Sequence, residues 1–128
     1  MSVQISMPLF TGKPVLSGDL IQGFLNKNYP DLASLTELSA DGDIISFDIA
    51  EAKVFLAPMD VAIPWTELEG PAATSILWED AENEVKTHTD HLITTVMGDS
   101  LSPIELSTLL TQVTAAVLST SENALGVY

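Results

Sequence analysis

The stretch that decides the fold is residues 35–57, which read LTELSADGDIISFDIAEAKVFLA. Within it, residues 44–49 alternate between large apolar and small polar side chains, which is the period of two expected of a strand with one buried face. The apolar positions of this strand, predicted to point into the core, are Ile45, Phe47 and Ile49.

Turn residues on both sides extend this strand into a three-stranded meander. Asp41, Gly42 and Asp43 separate residues 35–40 from residues 44–49, which predicts a β-hairpin. A tight turn at residues 50–52 leads into a third strand at residues 53–57, and Pro58 is expected to end it because proline cannot donate to a sheet ladder.

The most strongly marked helix lies near the other end of the chain. Ser102, Pro103 and Glu105 combine an N-cap, a first-position proline and an early acid, so a helix is predicted at residues 103–120. Its apolar residues recur at helical spacing and form one stripe: Leu106, Leu109, Leu110, Val113 and Val117.

The rest of the chain completes an α+β fold of 128 residues in a single domain. We expect a largely antiparallel sheet with helices packed on one face, in the order β-α-β-β-β-α-β-α-β. The remaining predicted elements are a strand at 3–10, a helix at 19–28 capped by Ser17, a helix from Pro71 to residue 78 that continues through 79–89, a strand at 91–97 and a last strand at 125–128.

The charge of the chain excludes several classes of partner. Eighteen acidic residues face four lysines and no arginine, which gives a net charge of −14, although 46% of the residues are hydrophobic. Binding to nucleic acid or to an anionic membrane surface needs clustered Lys and Arg, so neither is expected. A basic protein partner is the natural complement. Solubility alone can also explain an acidic surface, and both interpretations stay open.

Residues and motifs that the sequence lacks exclude further kinds of site. There is no cysteine, so disulfides and thiolate metal sites are excluded. The first residues do not have the pattern of a secretion signal, and no window is apolar enough to span a membrane, so we expect a cytoplasmic protein. There is no nucleophile elbow, which argues against a hydrolytic triad, and no glycine-rich phosphate loop, and we expect no cofactor.

Several short fragments in the second half of the chain resemble an uncharacterised bacterial family, "domain of unknown function 4261". The resemblance covers mainly residues 44–128 and rests on these fragments in order: Ala57-Pro58-Met59, Ile63-Pro64-Trp65, Leu68-Glu69-Gly70-Pro71, Leu77-Trp78, His88-x-x-His91-Leu92-Ile93, Val96-Met97-Gly98, Leu110-Thr111 and Gly126-Val127-Tyr128.

This resemblance implies a short or truncated member, because family members usually continue past the Gly-Val-Tyr segment. It also implies an association with toxin and type VI secretion systems, and therefore an immunity-like role. It implies no particular reaction, because no activity is known for the family.

The two histidines are the candidates for metal chemistry. Glu84 and His88 would lie one turn apart on a helix, with Asp90 and His91 close behind, and imidazole with carboxylate suits zinc or another divalent ion. A site needs three or four convergent ligands, whereas His91 is expected to begin a strand and to point elsewhere. A metal-dependent or carboxylate-based hydrolase that uses Glu84, His88 and His91 is therefore the alternative rather than the main hypothesis.

The main hypothesis is a non-enzymatic module that binds a basic protein, as immunity proteins bind toxins. Trp65 follows Pro64 in an irregular segment and is the candidate for an exposed anchor, whereas Trp78 is expected in the core. The carboxylates expected to meet the partner are Glu67, Glu69, Glu79, Asp80, Glu82 and Glu84. A third hypothesis is a structural or regulatory domain. The sheet is also expected to end at Gly126-Val127-Tyr128 with an edge through which a homodimer could form.

Overall fold

The computed structural model describes residues 2–74 and 80–128, and these residues form seven strands and four helices. All strand pairings are antiparallel, so the predicted α+β class is confirmed. The elements are β1 (Val3–Ser6), β2 (Pro8–Phe10), α1 (Gly18–Asn28), β3 (Thr36–Asp41), β4 (Ile44–Ile49), β5 (Ala52–Met59), α2 (Trp65–Ala73), α3 (Ala81–Lys86), β6 (Asp90–Met97), α4 (Pro103–Thr120) and β7 (Ala124–Val127).

The meander β3-β4-β5 forms as the sequence predicts, and it continues into the rest of the sheet. The strand order is β3-β4-β5-β6-β2-β7, and β1 pairs with the second half of β6. Asp41 pairs with Ile44 around a two-residue turn, in which Gly42 adopts a φ of 61°, a conformation that glycine adopts without steric cost. Phe47 and Ile49 are buried as predicted, whereas Ile45 is only half-buried.

The first face of the sheet carries the larger core, covered by α1 and α4. Ser17 caps α1, and Ser102 and Glu105 form a complete capping box on α4, so both predicted helix starts are confirmed. Four leucines and valines of the α4 stripe are buried, while Leu110 is half-buried. Each fully buried side chain of this size contributes about 1.5–3 kcal/mol of transfer free energy. The main buried residues are Phe10, Ile21, Leu25, Phe47, Val54, Leu56, Leu92, Val96, Leu106, Val113 and Val117.

The second face of the sheet carries a smaller core under α2 and α3. Leu9 is adjacent to Phe10 and points to the opposite face, where it packs with Leu68 of α2 and Val85 of α3. The predicted packing of helices on one face therefore applies to α1 and α4 only. The reason is that β2 and β7 carry apolar residues on both faces of the sheet, so helices pack on each face and bury them.

Three local predictions differ from the structure. Residues 3–10 form two short strands rather than one, because Pro8 interrupts the ladder. Pro58 lies inside β5, which is tolerated because the pairing of β4 with β5 ends at Ile45 and Leu56, before Pro58 is reached. Pro71 lies within α2, which starts at Trp65 because Leu68 and Ala72, one turn apart, both pack on the second core.

The predicted helix at residues 71–78 falls partly outside the described residues, and so do Trp78 and Glu79. No helix in the described parts of the chain is long and apolar enough to span a membrane.

Candidate functional site

His88 and His91 hold a loop in place rather than facing a common ligand position. His88 is buried, and its Nε2 accepts a hydrogen bond of 2.9 Å from the backbone N–H of Ile63. An accepting Nε2 requires the proton to be on Nδ1, which donates to the carbonyl of Val85. His91 uses its Nδ1 to donate to the carbonyl of Val61 at 2.7 Å. The two rings therefore fix the segment that leads into α2.

The predicted metal ligands are not brought together by this arrangement. Glu84 is exposed on α3, while both ring nitrogens of His88 are engaged by backbone groups. Asp90 and His91 are consecutive in β6 and therefore point to opposite faces of the sheet. In residues 2–74 and 80–128, the structure contains no group of three or more His, Asp or Glu side chains that could hold a metal ion.

One cluster of charged groups was not predicted from the sequence. Asp43, Asp60 and Asp90 line a shallow cleft of about 270 Å³ together with Lys13. Lys13 forms an ion pair of 3.0 Å with Asp43, and Asp90 accepts a bond of 2.6 Å from the Thr89 hydroxyl. The aspartates come from three separate segments, so no local sequence pattern could have indicated that they meet.

The predicted acidic residues are brought together on one layer of the molecule. The helices α2 and α3 contact each other, and both cover the second face of the sheet. Every described carboxylate of the predicted set is exposed. We call these five residues the acidic patch: Glu67, Glu69, Asp80, Glu82 and Glu84.

Only one lysine belongs to the same pair of helices. The ammonium of Lys86 lies 4.7 Å from the centre of the Trp65 ring, in the geometry of a cation–π contact. Trp65 is half-buried and packs against the second core, so it is less exposed than an isolated anchor would be. Two other lysines, Lys13 and Lys53, form ion pairs with Asp43 and Asp48 on the β3-β4-β5 side of the sheet.

Comparisons with known protein families, with curated proteins and with solved structures find no match to this chain. The resemblance of residues 44–128 to the family of unknown function therefore stays a prediction.

Proposed function

We propose that this protein is a non-enzymatic binding module that recognises a basic protein through the acidic patch. The observation that carries the proposal is the placement of four exposed carboxylates on two contacting helices, with a fifth, Asp80, at the N-cap of α3, against one lysine in the two helices. Solubility alone requires only that charges be exposed. The concentration of one sign on one pair of helices favours a complementary surface on a partner.

The physical role of such a patch is to guide and orient the partner. Opposite fields accelerate the encounter of two proteins and penalise partners of the wrong charge. The side of Trp65 and the aliphatic chain of Lys86 adjoin the patch and supply contact area next to it. A partner with a carboxylate above the Lys86 ammonium would gain a further charged contact.

The specific form that we propose is an immunity-like protein that neutralises a basic toxin, in line with the association with toxin and type VI secretion systems that the family resemblance implies. Co-expression with the product of a neighbouring gene tests this form directly. Rescue of a host that the neighbouring gene product kills is the expected result.

The binding test uses a variant that reverses two patch charges, Glu69→Lys with Glu82→Lys. We expect the wild type to capture a basic protein from the native host, and we expect the variant to associate with it more slowly. Its association rate should also depend less steeply on ionic strength, because fewer charges contribute to the attraction.

The matched control is Asp19→Lys with Asp31→Lys, two exposed acids that lie in the first turn of α1 and just beyond its C-terminus. It changes the net charge by the same amount but leaves the acidic patch intact. Equal association rates and salt dependences for the two double variants would show that only net charge matters, and the acidic patch would then be a solubility surface.

A further inference from the structure

The edge of the sheet at β1 is open on one flank. β1 and β2 lie along β6 in one unbroken register, since Ser6 pairs with Thr94 and Leu9 pairs with His91. On the side away from β6, β7 pairs with β2 but not with β1. This pairing ends where Met7 and Tyr128 form two backbone hydrogen bonds with each other, of 2.8 and 2.9 Å. Within the described residues, no strand pairs with β1 on that flank.

The backbone N–H and C=O groups of β1 point either towards β6 or towards the open side of the strand. In an antiparallel strand, the N–H and C=O of one residue point the same way, and successive residues alternate. Ser2 accepts from Gly98 on the β6 side, and Met7 bonds to Tyr128 on the opposite side. Val3 and Ile5 share the parity of Met7, so their N–H and C=O groups point outward. Their side chains are 43% and 55% exposed.

The edge strand β1 is short, with four residues, but it lacks the charges and irregularities that protect the opposite edge of the sheet from pairing. The opposite edge strand, β3, has a register irregularity, a left-handed Glu37 with φ of 55° and the charge of Asp41. Charges and irregularities of this kind keep edge strands from pairing with other chains. In contrast, no charged residue occurs between Ser2 and Gly12, in a chain with a net charge of −14.

The helix beside β1 is also nearly uncharged. The amide of Gln4 donates to the carbonyl of Pro103 at 3.0 Å and accepts from the Ser107 hydroxyl at 2.6 Å, which holds α4 against β1. Among the eighteen residues of α4, Glu105 is the single charged one, and it lies in the first turn. The surface formed by β1 and α4 is therefore nearly uncharged, in contrast to the acidic patch.

We propose that β1 pairs with β1 of a second copy of this chain and joins the two sheets. With a two-fold axis beside Gln4, Val3 of each copy lies opposite Ile5 of the other. The outward N–H and C=O groups then form four backbone hydrogen bonds. The same symmetry brings the four exposed apolar side chains together on one face of the joined sheet, where cross-strand pairs stabilise each other.

A second copy is the occupant that the charge distribution favours. Two molecules of net charge −14 repel each other over most of their surfaces, and they can approach where no like charges face each other. A basic partner would gain no electrostatic attraction from an uncharged strand. Because each copy contributes a strand of only four residues, the interface is small, and we expect the dimer to form at high protein concentration.

The test is sedimentation analysis over protein concentrations from about 10 μM to 1 mM, the range that suits an interface of this size. We expect the mass to rise from monomer towards dimer. The dimer should become tighter with added salt, because salt screens the repulsion between the copies. Amide exchange at Val3 and Ile5 should slow as the dimer forms, and exchange at Gln4 should change less.

Two variants test the edge itself. Ile5→Pro removes the outward N–H without adding charge, and Ile5→Lys places two like charges at the pairing site; both are expected to remain monomeric. Val15→Lys is the matched control, because Val15 is 79% exposed and lies outside β1. Circular dichroism and the melting temperature verify that each variant is folded.

Three results would overturn the proposal: a monomer at every concentration in high salt, a dimer that survives both Ile5 variants, or a dimer that weakens as salt is added. The outcome of this test of the oligomeric state does not depend on the proposed function. The variant Glu69→Lys with Glu82→Lys should keep the dimer while it loses the basic partner, so each idea can fail without the other.

Discussion

Thr94 lies in the middle of β6, fully buried beside Leu56 of the neighbouring strand. Its hydroxyl is one of two buried side-chain oxygens, with that of Ser121, that have no hydrogen-bond partner within the described parts of the chain. A buried hydroxyl without a partner costs free energy, because it has given up its bonds to water.

The first prediction concerns this hydroxyl. Thr94→Val keeps the β-branched shape and replaces the hydroxyl by a methyl group, so it should raise the free energy of unfolding by about 1 kcal/mol. Urea denaturation measures the change. Thr95→Val is the control, because Thr95 is half-buried on the opposite face of β6. A loss of stability in Thr94→Val would mean that its hydroxyl is hydrogen-bonded in solution.

At the scale of elements, the turn between β4 and β5 carries a strain that glycine would remove. Ala50 and Glu51 both have positive φ, at 50° and 67°, as a two-residue hairpin turn requires. An ordinary side chain in this conformation costs about 1–2 kcal/mol. The second prediction is that Glu51→Gly stabilises the protein by about 1 kcal/mol, measured as a higher denaturation midpoint. Glu51→Gln is the control: an equal gain there would assign the effect to charge instead of backbone.

The capping box of α4 leads to a third prediction, on pH. The backbone N–H of Ser102, and then its hydroxyl, lower the pKa of Glu105 below its ordinary value of 4.5. A carboxyl with a lowered pKa in the folded state stabilises the protein above the unfolded-state pKa, and this contribution is lost as pH falls through the folded-state value.

Glu105→Gln should therefore be less stable than the wild type at pH 7, and the difference should shrink as the pH falls below 4.5. Thermal unfolding of both proteins across this range measures the difference. A gap that stays constant with pH would show that the ionisation of Glu105 does not cause the difference in stability.

The elements show which parts of the fold the sequence could predict. α4 and the β3-β4 hairpin carry complete local signals, a capping box in one and Gly42 with alternating side chains in the other, and both form as predicted. The start of α2 was missed because its position depends on Leu68 packing against Leu9, a contact between distant segments. The role of His88 was missed for the same reason, since its partner Ile63 lies 25 residues away.

At the scale of the whole molecule, charge is distributed unevenly. The acidic patch covers α2 and α3, while β1 and α4 together carry Glu105 as their single charged residue. The first surface suits a partner of opposite sign, and the second suits a copy of the same chain. The two proposed interactions should therefore respond to salt in opposite directions, which makes ionic strength the variable that separates them.

The uneven charge also affects stability, which is the last prediction. The chain carries a net charge of −14, so the melting temperature of the wild type should rise with added salt as the repulsion between its acidic residues is screened. Glu69→Lys with Glu82→Lys should melt higher than the wild type at low salt, and the difference should shrink at high salt. Asp19→Lys with Asp31→Lys has the same net charge but leaves the acidic patch in place, so it should gain less. A wild-type melting temperature that falls with salt would mean that attractive pairs such as Lys13–Asp43 and Lys53–Asp48 outweigh the repulsion, and charge would then not limit the stability of this fold.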